Sequence, residues 1–341
     1  EIADGDWSSD VCSSDLVTEE GKEGPHGLVL FDMERPLKEG EEEVSRDVVQ
    51  EEAIKIHSEL SPFSGNYRYS VLIVNESTDP ITEVKVKIKY PAFLRLSRIT
   101  PNTIKVGAVK TGGDKRMQVN IDIRELAPGG KRQINLHLEP TKVNEQGNLA
   151  TFLTYVNAQD YVRVLNSKPV KIHVEPLSVQ PKIIPSSDIQ RFLDKEGMKK
   201  AIKAIGIGVM YREINYDLIF NHLIKILQAN HFQVIADDPT QRIAWTFGSE
   251  LESKEDVLMI GQIRTNKLEF YGASQNPWIL IPLLTEIIES LEKRLESLHV
   301  IDSEEQIHGL ECKKCGMVLP SFPEKGESVQ CSNCQYEQVI W

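Results

Sequence analysis

Between Tyr67 and about Glu175, apolar and polar residues alternate with a period of two. ITEVKVKIKY places Val84, Val86, Ile88 and Tyr90 on one side and Lys85, Lys87 and Lys89 on the other. RMQVNIDI does the same with Met117, Val119, Ile121 and Ile123, and RQINLHL, ATFLTYV, YVRVL and VKIHV continue the pattern. Strict alternation describes a strand with one face in a core and one in water. Turn signals separate the runs at Ser77-Thr78-Asp79-Pro80, Thr111-Gly112-Gly113-Asp114, Pro128-Gly129-Gly130 and 144–148. About seven short strands at this spacing predict an immunoglobulin-like all-β sandwich over 61–176. The Lys85/Lys87/Lys89 row reads as a solvated strand face, which also discourages edge pairing.

The proline-rich stretch PLSVQPKIIPSSD breaks the alternation and reads as a stiff seam. A helix is predicted over Asp188–Ile202, capped by Ser186 or Ser187, and then a strand in KAIGIGVMYREI. Gly206 and Gly208 form a G-x-G without the third glycine that a dinucleotide site needs, so they are expected to permit close backbone packing. Asn215 is a good N-cap for a helix whose apolar face is Leu218, Ile219, Leu223, Ile226 and Leu227. Strands FQVIA, RIAWTFGS, VLMIGQI and LEFYGA follow, and Asn276-Pro277 opens a long helix carrying Leu280, Leu283, Leu284, Ile287, Ile288, Leu291 and Leu295. This order predicts an α+β layer over 177–298, an antiparallel sheet with helices packed on it. Residues 299–308 are expected to form a linker, and 309–341 a small zinc ribbon.

Charge and composition narrow the functions available. The chain has 341 residues, enough for two or three domains, and a net charge of −12. Such acidity repels phosphate backbones unless a basic patch compensates, so nucleic acid is not expected as the main partner. No run of eighteen apolar residues occurs and no secretory signal is visible, so a cytoplasmic location is expected, with membrane contact only through partners. DWSSDVCSSDL resembles a translated sequencing adapter, which sets 1–16, with Cys12, aside as non-biological and implies that the true start is missing. Residues 17–60 are Glu-rich and expected to be a largely flexible lead. Triads, H-E-x-x-H, P-loops and paired carboxylates in a motif context are all missing from the sequence, so no enzyme is expected.

The remaining four cysteines carry the clearest chemistry. Cys312, Cys315, Cys331 and Cys334 read C-x2-C-x15-C-x2-C. Each pair aims two sulfurs at one point, and two pairs supply a tetrahedral thiolate set suited to one Zn²⁺. Four thiolates close the coordination sphere, so the metal is expected to be structural, holding a lobe too small for a core of its own. Lys313, Lys314 and Lys325 balance Glu311, Glu324, Glu327 and Glu337, which favours protein over phosphate as the lobe's contact, with Tyr336 and Trp341 as candidate anchors.

The segments DLIFNHLIKILQANHFQVIA, IAWTF, VLMIGQIRTNKLEFYGAS and IPLLTEIIESLEKRL resemble the platform subdomain of clathrin-adaptor (adaptin) and coatomer appendage domains. The resemblance covers about 67–298 and is strongest over 217–295. It implies an immunoglobulin-like sandwich followed by a platform that binds short peptide motifs through an exposed tryptophan. This chain carries Leu258 near that position, with Trp245 and Trp278 as the nearby aromatics. The resemblance therefore implies a peptide groove at Leu258, Ile260, Tyr271 and Trp278. It also implies adaptor or scaffold work in coat- or trafficking-like assemblies, with short peptide motifs or coat-like proteins as partners. The alternative is a nucleic-acid or transcription-associated zinc-ribbon factor.

Overall fold

Period-two burial organises the first half of the molecule. The computed structural model describes residues 53–341 except 103–104, 107–109, 112–115, 211–212 and 265, and without the side chains of 105, 106, 110 and 111. The adapter-like stretch and the lead up to residue 52 lie outside the described residues. The expected flexible lead is too long at its end: β1 (Ile54–Phe63) already pairs with β2 (Asn66–Asn75) along its whole length. Ladder hydrogen bonds and the inward Ile54 and Ile56 outweigh the charge of the preceding segment.

Nine further strands follow: β3 (Ile81–Pro91), β4 (Leu94–Thr100), β5 (Lys105–Val106), β6 (Lys110–Thr111), β7 (Arg116–Leu126), β8 (Lys131–Pro140), β9 (Glu145–Val156), β10 (Val162–Asn166) and β11 (Val170–Val174). They form two antiparallel sheets, β1-β2-β8-β4 and β10-β9-β3-β7-β5, with β11 on β9 and β6 on β7. Val84, Val86, Ile88 and Tyr90 of β3 are all at most 1% exposed, while Lys85 and Lys87 point to solvent. They meet Tyr69, Val71 and Ile73 of β2 and Ile134, Leu136 and Leu138 of β8 in one core between the sheets. Each such side chain contributes roughly 1.5–3 kcal/mol by leaving water.

The second half is a helix-backed sheet. It contains β12 (Val179–Pro181), α1 (Ile189–Leu193), β13 (Lys199–Ile207), α2 (Tyr216–Ala229), β14 (Gln233–Asp238), β15 (Ile243–Glu250), β16 (Asp256–Arg264), β17 (Lys267–Ser274), α3 (Pro277–Ser297) and β18 (Ile307–Gly309). The strand order is β12-β15-β16-β17-β13-β18, with β14 on β15. The helix expected over Asp188–Ile202 shrinks to a 3-10 turn and the five residues of α1. Neither serine makes a cap hydrogen bond, Gly197 turns the chain at φ +78, and Lys199–Gly206 pairs with β17 instead. Sheet pairing here overrides a modest helical preference.

The other two helices start where their caps place them. Asn215 Oδ1 accepts from the Leu218 amide at 3.0 Å, and Asn276 Oδ1 from the Trp278 amide at 3.1 Å. Each cap contributes about 1 kcal/mol. Ile219, Leu223 and Leu227 of α2 and Leu280, Leu284, Leu291 and Leu295 of α3 cover one face of the sheet, with Ala201, Ile205, Met259, Leu268 and Phe270 beneath them. Leu218, expected on that apolar face, is 39% exposed at the first turn. Ile281 of α3 turns the opposite way, into the sandwich core, so this helix is shared between the two halves. A terminal lobe with the hairpin β19 (Ser328–Gln330) and β20 (Glu337–Val339) completes the chain.

Candidate functional site

Two matching backbone turns build the cysteine cluster. The Cys312 amide donates to Met317 O at 2.8 Å and the Gly316 amide to Cys312 O at 2.8 Å. The second turn repeats this: Cys331 N to Tyr336 O at 2.9 Å, and Gln335 N to Cys331 O at 3.0 Å. Gly316 (φ +79) and Gln335 (φ 58) occupy the same left-handed position in the two turns. The four sulfurs all lie within 4.8 Å of one another. Cys312–Cys334 and Cys315–Cys331 are both 3.6 Å apart. A tetrahedral metal about 2.3 Å from each sulfur separates sulfurs by about 3.8 Å, whereas a disulfide needs about 2.05 Å. The donors therefore fit a structural metal. Cys312 and Cys331 are wholly buried beside Leu310, Leu319, Phe322 and Val329.

This lobe is not a free tail. β18 pairs antiparallel with β13, so the chain entering the cysteine cluster is the last strand of the helix-backed sheet. His308, Phe322 and Trp341 stack with centroids 5.3–5.8 Å apart. Side-chain carbons on Gly206 and Gly208 would run into Phe322, and into His308 and Trp341. The two glycines thus serve close packing, against the lobe's aromatic stack. Trp341 is part of that stack and donates from Nε1 to Pro323 O at 2.9 Å, so it is not the exposed anchor expected, whereas Tyr336 is 41% exposed.

The lobe also reaches the sandwich. Glu311, next to the first cysteine, accepts from Asn66 of β2 at 3.0 Å and from Arg98 Nε of β4 at 3.3 Å. Asn102 donates to Lys314 O at 2.9 Å. Beside these contacts lies a cleft of about 560 Å³ where sandwich, helix-backed sheet and lobe meet, lined by Arg95, Glu139, Lys203, Glu292 and Glu311 among others. Glu139 binds Lys203 Nζ at 2.6 Å and Arg95 Nη2 at 2.6 Å. Burial alone would raise its pKa, but the two cations outweigh burial and hold it at about 2.

Glu292 of α3, in the same cleft, shifts the other way. Burial, opposed by Arg95 and reinforced by Glu304, Glu139 and Glu289, pushes it up to about 7. The folded chain holds this proton more tightly than the unfolded chain does. The resulting stability is full below the ordinary carboxyl value of 4.5 and is lost as pH rises to about 7. Glu292→Gln is therefore expected to melt higher than the native chain at about pH 8, with the difference vanishing towards about pH 5. Thermal melts across that range check it.

The four residues expected to form a peptide groove do not form one. Leu258 is wholly buried, under Phe192 of α1 with Phe247 and Ala273. The short helix covers the end of the sheet at Leu258. Trp278 starts α3 at the sandwich seam, 44% exposed, with its ring 6.1 Å from Tyr67. It borders a separate recess with Leu60, Val170 and Ile172. Ile260 and Tyr271 do stand side by side, half-buried on the sheet face opposite the long helices.

Their neighbours in register are Ile202 of β13, 42% exposed, and the half-buried Trp245 of β15. Ile202, Tyr271, Ile260 and Trp245 thus make an apolar row across four strands. α1 closes one side of it. On the other side the cysteine lobe covers Ala204 and Gly206 and holds Lys267 Nζ to Leu319 O at 3.0 Å. Ile202, expected at the end of a helix, is carried onto this face by the pairing of β13 with β17. What leaves the row open is the placement of α1 and the lobe.

What fold and site define is a class: a largely β protein of several antiparallel sheets with a four-cysteine, metal-type cluster. Beyond that class, comparison with known proteins adds little. No family model and no curated protein matches the chain. Among solved structures, it is similar to an uncharacterized immunoglobulin-like protein from Nocardia farcinica, at 15% identity over 36% of this chain and 90% of that one, TM-score 0.25. It is also similar to the full-length major pilin SpaD from Corynebacterium diphtheriae, at 10% identity over 62% and 57%, TM-score 0.31. An exo-β-N-acetylglucosaminidase from Vibrio harveyi gives 11% over 65% and 39%, TM-score 0.24. Scores this low carry no argument about architecture or activity, and none of the three is an appendage domain.

Proposed function

We propose that this chain is a non-catalytic interaction protein that captures short peptide segments on the platform sheet. The observation carrying the reading is the open apolar row Ile202–Tyr271–Ile260–Trp245 between α1 and the cysteine lobe. Aromatic and aliphatic side chains on a rigid sheet, walled on two sides, give a peptide anchor somewhere to lose its water. The groove is centred on Ile260 and Tyr271, not on Leu258 or Trp278. Zinc is the metal that best suits four thiolates in a closed tetrahedron, and it would hold the lobe as a structural ribbon. Clustered cysteines that ligate a metal instead of pairing as disulfides suit a reducing compartment, which supports a cytoplasmic adaptor or scaffold. Among the described residues, no helix is long and apolar enough to cross a membrane.

The test is selection of peptides from a random display library on the full chain, with affinities then measured on variants. Ile202→Asp is expected to weaken the selected peptides about tenfold or more, because the row forms the anchor pocket. Trp278→Ala is expected to leave them unchanged. Failure to select any peptide, or equal binding to Ile202→Asp, would count against the groove. Salt-sensitive binding of a mixed DNA and RNA pool would favour the zinc-ribbon nucleic-acid factor instead.

A further inference from the structure

We infer that the four-cysteine site is a metal-operated clamp: metal binding holds the sandwich against the helix-backed sheet and sets the lobe-side wall of the apolar row. The clause about the row rests on the peptide reading above, and the clause about the two halves stands without it.

Three separate contacts make the lobe a bridge. Towards the sheet, β18 completes the β13 edge, Leu310 donates to Ala204 O at 2.8 Å, and Gly208 donates to Gln306 O at 2.8 Å. Across the sheet's outer face, Phe322 lies on Gly206, and Asn266 donates to Phe322 O. Towards the sandwich, the Glu311 carboxylate is shared by Asn66 and Arg98, and Asn102 holds Lys314 O. The Arg98 side chain is 7% exposed, and a side-chain carbon on Gly316 would run into its guanidinium, so the first cysteine turn is fitted against β4. One small lobe therefore touches both halves through the residues flanking Cys312 and Cys315.

The energetics make those contacts depend on metal. The lobe's buried apolar set is Leu310, Leu319, Phe322 and Val329, two of its cysteines, and Ala204 borrowed from β13. A core this small does not order about thirty residues by itself, and in such lobes metal binding supplies the folding free energy. Without metal, Glu311 loses its fixed place, the lobe-side wall of the row dissolves, and Arg98 is left buried without its carboxylate. The two halves then keep α3, with Ile281 in the sandwich core, and the Glu139–Lys203 pair as their joint.

The experiment is hydrogen exchange read by mass spectrometry on the full chain, with bound zinc and after a strong chelator. Exchange is expected to rise about tenfold or more at three places together. These are the lobe, the β13 amides facing β18, and the β2 and β4 segments around Asn66 and Arg98. The amides of α2 and β7, which the lobe does not touch, stay protected. Glu311→Ala is expected to keep its zinc but to lose the spread into β2 and β4, which separates bridging from mere lobe stability. An increase confined to 310–341 would overturn the clamp, as would loss of protection across the whole molecule. This readout needs no peptide, so failure of the peptide reading leaves it intact. Unchanged exchange at Ile202 and Tyr271 after chelation would remove only the wall.

Discussion

Replacing Cys331 by serine is expected to abolish metal binding and to melt the terminal lobe, at a cost of more than about 4 kcal/mol. The side chain is wholly buried, and its sulfur lies 3.6 Å from that of Cys315. Serine offers a hard, neutral oxygen that reaches less far than a thiolate, so the coordination sphere does not close. The loss does not stop at the lobe, because Ala204, Gly206 and the aromatic stack on them lose their cover. Metal analysis together with urea unfolding of native and variant chains measures both effects. A variant that still carries a full equivalent of metal, or unfolds at the native midpoint, would contradict this.

The second large effect is expected at Glu139. Its carboxylate stands between Lys203 and Arg95, with the Lys203 and Glu139 side chains only 9% and 16% exposed. Glu139→Gln leaves the buried Lys203 ammonium, which also reaches Asn66 Oδ1, facing a neutral amide in place of a carboxylate, and is expected to cost about 3–5 kcal/mol. Lys203→Met should cost less, since Arg95 still holds the carboxylate. The pair Glu139→Leu with Lys203→Met is expected to recover most of the loss, because an apolar pair of similar volume needs no compensation. A double-mutant cycle in urea gives the coupling. The native pair also carries an acid signature. Glu139 is held at about 2, so its stabilisation is present above the ordinary carboxyl value and is lost as pH falls towards 2.

Legibility in the sequence followed the range of the interaction. Val84, Val86 and Ile88 announced β3 because alternation is a property of neighbours, and Asn215 and Asn276 announced their helices because caps are local. The cysteine spacing announced a cluster for the same reason. α1 was misread because strand pairing of Lys199–Gly206 with β17, distant in sequence, decides its length. β1 was missed because its partner β2 supplies what its own weak pattern lacks. The resemblance put Leu258 in an open groove, but Leu258 is roofed by Phe192, and sequence does not say where a five-residue helix will lie. Glu139 and Lys203 are 64 positions apart, and Asn66 and Glu311 are 245 apart. No local pattern reports such pairs.

The most direct test of the account is the mass of the intact chain under native conditions, before and after mild acid, with cobalt substituted for the bound metal in a parallel sample. The account predicts one zinc per chain, released by acid as the thiolates protonate, and a cobalt spectrum with sulfur charge-transfer and tetrahedral bands. A native chain that carries no metal, or whose mass shows Cys312, Cys315, Cys331 and Cys334 paired as disulfides, would contradict it.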